Sequence, residues 1–214
     1  MASTPLKARG GNPAKPSRQG FMGQWGMFFR QFVKHPGMVG SIIPSSRALV
    51  DAMLDPVDWD ATRLFVEYGP GVGTFTRSIL ERMHPDATLL AIDLNPDFVS
   101  YLEEAIPDPR LRVVHGSAAD VGRFVAETGQ RSADYILSGL PFSTLPPGVG
   151  ESICRETRAA LRPGGAFLVY QFSAHVAALL NANFDRVVAR TEWRNIPPCR
   201  LFEATKSEKI ARAA

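Results

Sequence analysis

At 214 residues, with 45% hydrophobic and 21% charged side chains, the chain has the size and composition of one soluble globular domain, alone or with an extension. Its longest apolar runs, such as 166–170, are too short to span a bilayer, and residues 1–20 lack the apolar core of a secretory signal. Cys154 and Cys199 form no metal-like spacing, so two reduced thiols in a cytosolic protein are expected.

The net charge of +3 is unevenly spread. Residues 1–50 hold seven basic groups and no acid, while the other 164 residues carry 17 basic and 21 acidic groups. Such a front end suits an anionic partner, either nucleic acid or an anionic membrane surface. Residues 1–20, rich in Pro, Gly, Ser and Lys/Arg, have little to bury and are expected to form a disordered basic tail. From residue 21 the pattern changes. Phe21, Met22, Trp25, Phe28, Phe29, Phe32 and Val33 fall on one face of a 3.6-residue helix, with Arg30 and Lys34 opposite and only Met27 out of step. An aromatic face against a basic one suits a helix over 21–35 lying in a membrane interface, and Gly23 and Gly26 weaken that helix in water. The same periodicity also suits a first helix packed on its own domain.

Pro36 and Gly37 end this segment, and GSIIPSS (40–46) leads into a second helix, RALVDAML, capped by Ser45 or Ser46. From Leu64 the chain alternates. Strands are predicted at 64–68, 89–93, 112–115, 135–138 and 166–172, and helices at 75–83, 98–106, 123–127, 151–161 and 175–180. Apolar strands at this cadence mean a parallel sheet covered by helices on both faces. Two further strands, 186–192 and 201–205, have no helix between them and predict a hairpin-like antiparallel edge, seven strands in all. The fold class expected is α/β, with a Rossmann-like seven-stranded sheet.

In such a sheet ligands collect at the carboxyl ends of the strands, near the switch in strand order. Strand one ends in Glu67 and the glycines Gly69, Gly71 and Gly73, and Thr74 opens a helix. Glycines there let backbone approach a ligand with no β-carbon in the way. The spacing G-x-G-x-G with an acid two residues before it fits S-adenosylmethionine better than a dinucleotide, whose fingerprint wants its third glycine three residues after the second. Strand two ends in Asp93 and Leu94, 24 and 25 residues past Gly69, where a carboxylate can hold two ribose hydroxyls. Ser117, Ala118 and Ala119 after strand three leave room for an adenine ring. Ser138, Gly139 and Leu140 after strand four begin a rigid turn that can set backbone carbonyls beside a reacting amine. Asp93 before Asn95-Pro96 also suits a plain helix cap, and Gly-Ser-Ala-Ala an ordinary turn. Four such signals in order point to a class I S-adenosylmethionine methyltransferase, with S-adenosylhomocysteine as product and no metal.

The segments EYGPGVGTFT, AIDLNPDF, GSAAD and SGLPF resemble the cofactor motifs of the ribosomal RNA adenine dimethylases and their relatives. With HPGMVGSIIPSS and TEWRNIPPCRLFEA added, the chain resembles the bacterial phospholipid N-methyltransferases from about residue 21 to 205. That resemblance implies a methyltransferase domain over 36–214, a phosphatidylethanolamine acceptor carried toward phosphatidylcholine, and a monomer on the inner face of the cytoplasmic membrane. One departure bears on the acceptor. Adenine dimethylases carry Asn or Asp where Gly139 stands in Gly139-Leu140-Pro141-Phe142, so the side chain that would accept from a flipped base is missing.

The remaining candidates follow from the chemistry. A primary ammonium has a pKa of about 10.4 in water and must lose a proton before it attacks. His35, Tyr170 and His175 are candidates to take it, and each also suits a structural role. Phe142, Tyr170, Phe172 and Trp193 can face a trimethylammonium product, and Arg194, Asn195 and Arg200 can meet the lipid phosphate. Gly40 and Ser41 are expected to close over the methionine end of the cofactor, and Phe21, Trp25, Phe28, Phe29, Arg30, Phe32 and Lys34 to dock the enzyme on a membrane. An RNA adenine N-methyltransferase, or a protein that binds cofactor and membrane without catalysis, are the other readings.

Overall fold

Strand β1 (Leu64–Tyr68) is buried at all five positions, because helices cover both faces of the sheet at whose centre it lies. The computed structural model describes residues 46–208, and the tail and aromatic helix expected over 1–35, with Gly40 and Ser41, lie outside them. The described elements follow in chain order: α1 (Arg47–Leu54), β1, α2 (Thr74–Leu80), β2 (Thr88–Asp93), α3 (Pro96–Ala105), β3 (Leu111–His115), α4 (Val121–Glu127), β4 (Ala133–Ser138), α5 (Val149–Ala160), β5 (Leu161–Gln171), α6 (Val176–Asn183), β6 (Arg186–Glu192) and β7 (Cys199–Thr205). Single 3-10 turns at Ala118–Asp120 and Phe142–Thr144 follow β3 and β4.

The strands form one sheet in the order β3-β2-β1-β4-β5-β7-β6. All neighbours from β3 to β5 are parallel, whereas β7 runs antiparallel to both β5 and β6. The expected antiparallel edge is present, with the reversed strand, β7, one place in from the margin. The order reverses between β1 and β4, which places the topological switch point at the carboxyl ends of those two strands.

Alternation along β1 divides the core. Phe65 faces a cluster with Leu49, Met53, Phe75, Ile79, Leu102 and Leu137. Tyr68 and Phe167 meet edge-on on the other face, where Phe167 also stacks on Phe184 at 5.9 Å. Each such side chain, fully buried, contributes about 1.5–3 kcal/mol relative to exposure. Helix α1 begins where Ser46 Oγ accepts from Leu49 N at 3.2 Å, which makes Ser46 the cap. Several predicted bounds shift by one to five residues, β5 most of all. The helix expected to end at 161 stops at Ala160, and β5 begins at Leu161 rather than at 166: Leu161 pairs with Ala133, and the irregularity is absorbed where the register slips between Ala133 and Tyr135.

Candidate active site

The glycine loop leaves β1 still clipped to its neighbour, with Gly69 N donating to Ile92 O at 2.9 Å. Gly73 N then donates to Pro70 O at 2.9 Å, and Arg77 N to Gly73 O at 3.1 Å as α2 begins. Gly69, Gly71 and Gly73 all have positive φ, at 63°, 55° and 81°. At Gly73 space is also short: a β-carbon would lie 2.7 Å from Leu102 Cδ2 and 2.9 Å from Ile106 Cδ1, so the loop packs directly on α3. At Gly71 the same carbon would meet no atom of the described residues within 4 Å. Among the described residues the middle of the loop is therefore uncovered, while its far end is wedged against α3.

Two buried carboxylates flank this opening. Glu67 is 3% exposed and accepts from Thr76 Oγ1 at 2.7 Å. Burial pushes its pKa up to about 7, against the hydrogen bond from Thr76 and with a smaller push from Asp93. Asp93, 2% exposed, accepts from Asn95 N at 2.8 Å on Oδ1 and from Gly71 N at 3.4 Å on Oδ2. Burial raises the Asp93 pKa too, offset by those backbone donors and by His115. Asn95 rather than Asp93 caps α3, its side chain accepting from Asp97 N. That leaves the Asp93 carboxylate at the carboxyl end of β2, beside Leu94 and the glycine loop, free of a capping duty. A carboxylate whose donors are backbone amides, beside an open loop, fits the hydroxyl pair of a ribose. Ser117, Ala118 and Ala119 turn just beyond β3, with Ser117 Oγ accepting from Ala119 N at 3.2 Å.

The turn after β4 is held from two sides. Ser138 Oγ accepts from Leu140 N at 3.2 Å. The Leu140 carbonyl accepts from Phe142 N at 2.9 Å and from Gln171 Nε2, so both of its lone pairs are engaged. Of the carbonyls expected beside a reacting amine, the one at Leu140 is thus committed to the turn itself. Gly139 has a different neighbour. A β-carbon there would collide with the Tyr170 hydroxyl, which occupies the corner a side chain at 139 would fill. Tyr170 is held in place by stacking on Phe75, with ring centroids 4.8 Å apart.

The remaining predicted residues are dispersed. Phe142 is 3% exposed and meets Phe167 edge-on in the core. Trp193 stands 76% exposed in the β6–β7 connection. Arg194 directs Nε and Nη2 to Glu192 at 2.9 and 2.8 Å, and this pairing drives the Glu192 pKa down to about 2. Asn195 is buried, and it links the connection to Ser46 and Pro197. Arg200 is exposed on β7, opposite Gln171 at the end of β5. His175 is exposed beside α6, and His35 lies outside the described residues, as do Phe21, Trp25, Phe28, Phe29, Arg30, Phe32 and Lys34.

Sequence reasoning passed over Thr76, Gln171 and Glu192. A lone polar residue at the end of the otherwise apolar run AFLVYQ is the signal that marks Gln171. Nothing local marks Thr76. Both cysteines are buried free thiols, with Cys154 pushed up to about 12 and Cys199 to about 11 by burial. Among the described residues no group of three or more His, Cys, Asp or Glu could hold a metal, and no helix is long and apolar enough to cross a membrane.

Comparison with known proteins agrees with this geometry. A family model described as a methyltransferase domain matches residues 65–165. The ornithine lipid N-methyltransferase of Singulisphaera acidiphila is 30% identical over 82% of this chain and 93% of its own length. A ribosomal RNA small subunit methyltransferase A from Paraburkholderia xenovorans, 29% identical, matches only 46% of this chain and 36% of its own. In fold the chain is similar to a Burkholderia thailandensis 1,6-didemethyltoxoflavin-N1-methyltransferase bound to S-adenosylhomocysteine, with a TM-score of 0.63 at 19% identity over 95% of this chain and 94% of that one. The strand order, the positive-φ glycine loop with its two carboxylates and a near full-length relative lead to one assignment: the chain belongs to the class I S-adenosylmethionine-dependent methyltransferases.

Proposed function

We propose that the acceptor is the amine of phosphatidylethanolamine and of its mono- and dimethyl forms, methylated toward phosphatidylcholine at the inner face of the cytoplasmic membrane. The observation that carries a lipid acceptor is the extent of the likeness. The relative named for a lipid matches 82% of this chain over 93% of its own length, whereas that RNA methyltransferase matches less than half of either. Gly139 supports the same reading, because it stands where the adenine dimethylases carry Asn or Asp, and the corner such a side chain would fill is taken by the Tyr170 hydroxyl. An ornithine lipid is the second acceptor to weigh, since the relative carries that name and ornithine ends in an alkylamine as ethanolamine does.

In the reading proposed, the Asp93 carboxylate accepts from the ribose hydroxyls, and Leu94 with Ser117, Ala118 and Ala119 borders the adenine. Gly69, Gly71, Gly73 and Thr74 admit the backbone of the methionine portion, with Glu67, Gly40 and Ser41 at its charged end. Bound S-adenosylmethionine supplies a methyl group on a sulfonium, which an amine with a free lone pair displaces in line. The chain's task is then to hold a neutral amine in position, worth several kcal/mol and about 7–11 in the best cases. A desolvated edge lowers the ammonium pKa. Ser138, Gly139 and Leu140 shape that edge, and the Tyr170 hydroxyl, standing where a side chain at 139 would, accepts from an N–H of the primary or monomethyl amine and orients its lone pair. Each cycle begins with the loss of one proton from the acceptor ammonium to water; the N–C bond would then form as the C–S bond breaks, with the thioether as leaving group. Arg200, exposed beside the end of β5, meets the lipid phosphate. The segment 21–35 docks the enzyme through Phe21, Trp25, Phe28, Phe29, Arg30, Phe32 and Lys34.

Incubation with methyl-labelled S-adenosylmethionine and, separately, vesicles of phosphatidylethanolamine, vesicles of ornithine lipid, or RNA tests the proposal. Label in phosphatidylethanolamine is the expected result, with mass spectrometry showing masses raised by one, two or three methyl groups. Label in ornithine lipid alone moves the assignment to that lipid. Label in RNA alone would falsify a lipid acceptor, and label in none of them leaves a binding protein.

A further inference from the structure

We infer that the tip of the β6–β7 connection is a second membrane anchor, in which Trp193 and Ile196 enter the interface of a lipid bilayer and hold the carboxyl edge of the sheet against it. The topology places it there. Because β7 runs antiparallel to both β5 and β6, β6 is parallel to β5, so its end at Glu192 opens on the edge that carries Gly69, Asp93 and Ser138. A lipid amine must reach that edge, and to this extent the inference rests on the lipid acceptor proposed above.

The tip itself has the composition of an interfacial anchor. Trp193 and Ile196 are 76% and 80% exposed, far more than the other exposed large apolar side chains of the described residues, which lie between 39% and 52%. Phe172, among these at 40%, follows β5 on the same edge. Tryptophan has an apolar body and one polar N–H, which suits the boundary between headgroups and chains. Exposed Arg200 lies close by on β7, and a guanidinium there favours anionic lipid.

The exposure is built in rather than left over. Asn195, 2% exposed, accepts from Ser46 N at 3.3 Å and donates to Pro197 O at 2.8 Å. Glu192 accepts from the backbone and the guanidinium of Arg194. The buried Asn195 and Glu192 thus fix the turn from within, leaving Trp193 and Ile196 projecting outward beside the exposed, cationic Arg194. A turn already fixed loses little entropy on docking. Two projecting side chains make a knob, well short of the roughly 800 Å² that each partner contributes to a stable protein interface. A bilayer needs no matching pocket and is the occupant that fits.

The test uses the full chain with Trp25 and Trp59 changed to Phe, leaving Trp193 as its one tryptophan. Vesicles contain phosphatidylethanolamine and phosphatidylglycerol with brominated chains. Expected are a blue shift of Trp193 emission on vesicle addition and quenching strongest for bromines nearest the headgroup. A Trp193→Ser, Ile196→Ser variant is expected to partition onto the same vesicles about ten-fold more weakly. Vesicle-bound protein whose Trp193 is neither shifted nor quenched overturns the inference, as does protein that binds no vesicle at all. Should the sole-tryptophan chain fold poorly, an environment-sensitive dye on an Ile196→Cys variant reads the same contact. None of these readings involves methyl transfer, so a failed anchor and a wrong acceptor are told apart.

Discussion

The backbone amide of Ser46 donates to the side chain of Asn195 at 3.3 Å, across 149 residues of sequence. Ser46 closes GSIIPSS and Asn195 stands in WRNIPP, so the two motifs that set this chain apart from methyltransferases in general are physically joined. Asn195 is buried, and its amide nitrogen serves Pro197 as well. Replacing it with Ala strands two backbone groups at once. Asn195→Ala is expected to cost about 1–3 kcal/mol of stability, read from urea denaturation. An unchanged midpoint would mean that water takes over both bonds.

Asp93 is the residue on which the cofactor assignment is most exposed to experiment. Asp93→Ala is expected to weaken S-adenosylhomocysteine binding at least ten-fold, about 1.4 kcal/mol, in calorimetry. Equal affinity in the two proteins would sink the ribose role.

Glu67 gives the chain a pH signature. Its folded pKa of about 7 stands above the ordinary 4.5, so between those values the folded state holds more protons than the unfolded one. Stability from this group is full below about pH 4.5 and is lost as pH rises through about 7, a total of about 3 kcal/mol. Glu67→Gln removes that slope. Thermal melts of the two proteins at pH 5 and pH 8 measure it: the variant should lose less stability between these values than the parent does.

Tyr170 and Gly139 make a pair of opposed tests. Tyr170→Phe keeps the ring on Phe75 and removes only the hydroxyl, so kcat is expected to fall about ten- to a hundred-fold with cofactor affinity unchanged. Gly139→Ala forces a β-carbon against that hydroxyl, and it should lower kcat through displacement of the ring. If Tyr170→Phe turns over like the parent, the hydroxyl has no part in orienting the amine.

Gly73→Ala combines a φ of 81° with close approach to Leu102 and Ile106. A loss of about 1–3 kcal/mol is expected, read as a lowered denaturant midpoint.

Much of this was legible in the sequence because the signals are local. Apolar runs of strand length fixed the bounds of β1 and β6, and the glycine spacing with Glu67 and Asp93 marked the cofactor edge. What escaped depends on which strands lie side by side. That Tyr170 fills the corner beside Gly139 follows from the β4–β5 register, in which Ser138 pairs with Val169 and the next residues are therefore neighbours. No spacing along the chain announces this. The commitment of Arg194 to Glu192 was hidden differently, since a turn that brings residues two apart together cannot be told from an exposed arginine by composition. The start of β5 was missed because Pro163, Gly164 and Gly165 carry the sequence of a turn while pairing keeps them in the strand.

The placement of β7 has a consequence for how the sheet is assembled during synthesis. In the described sheet β6 has one ladder partner, β7, which the ribosome makes afterwards. Until residues 199–205 emerge, β6 has nothing to pair with and β5 keeps an open margin. A chain cut short just before β7 therefore loses the pairing of two strands rather than one, and leaves Trp193 and Ile196 on a segment with no strand to close it. Strand β7 acts as a fastener, closing a local hairpin with β6 and carrying it onto β5 across a longer stretch of sequence.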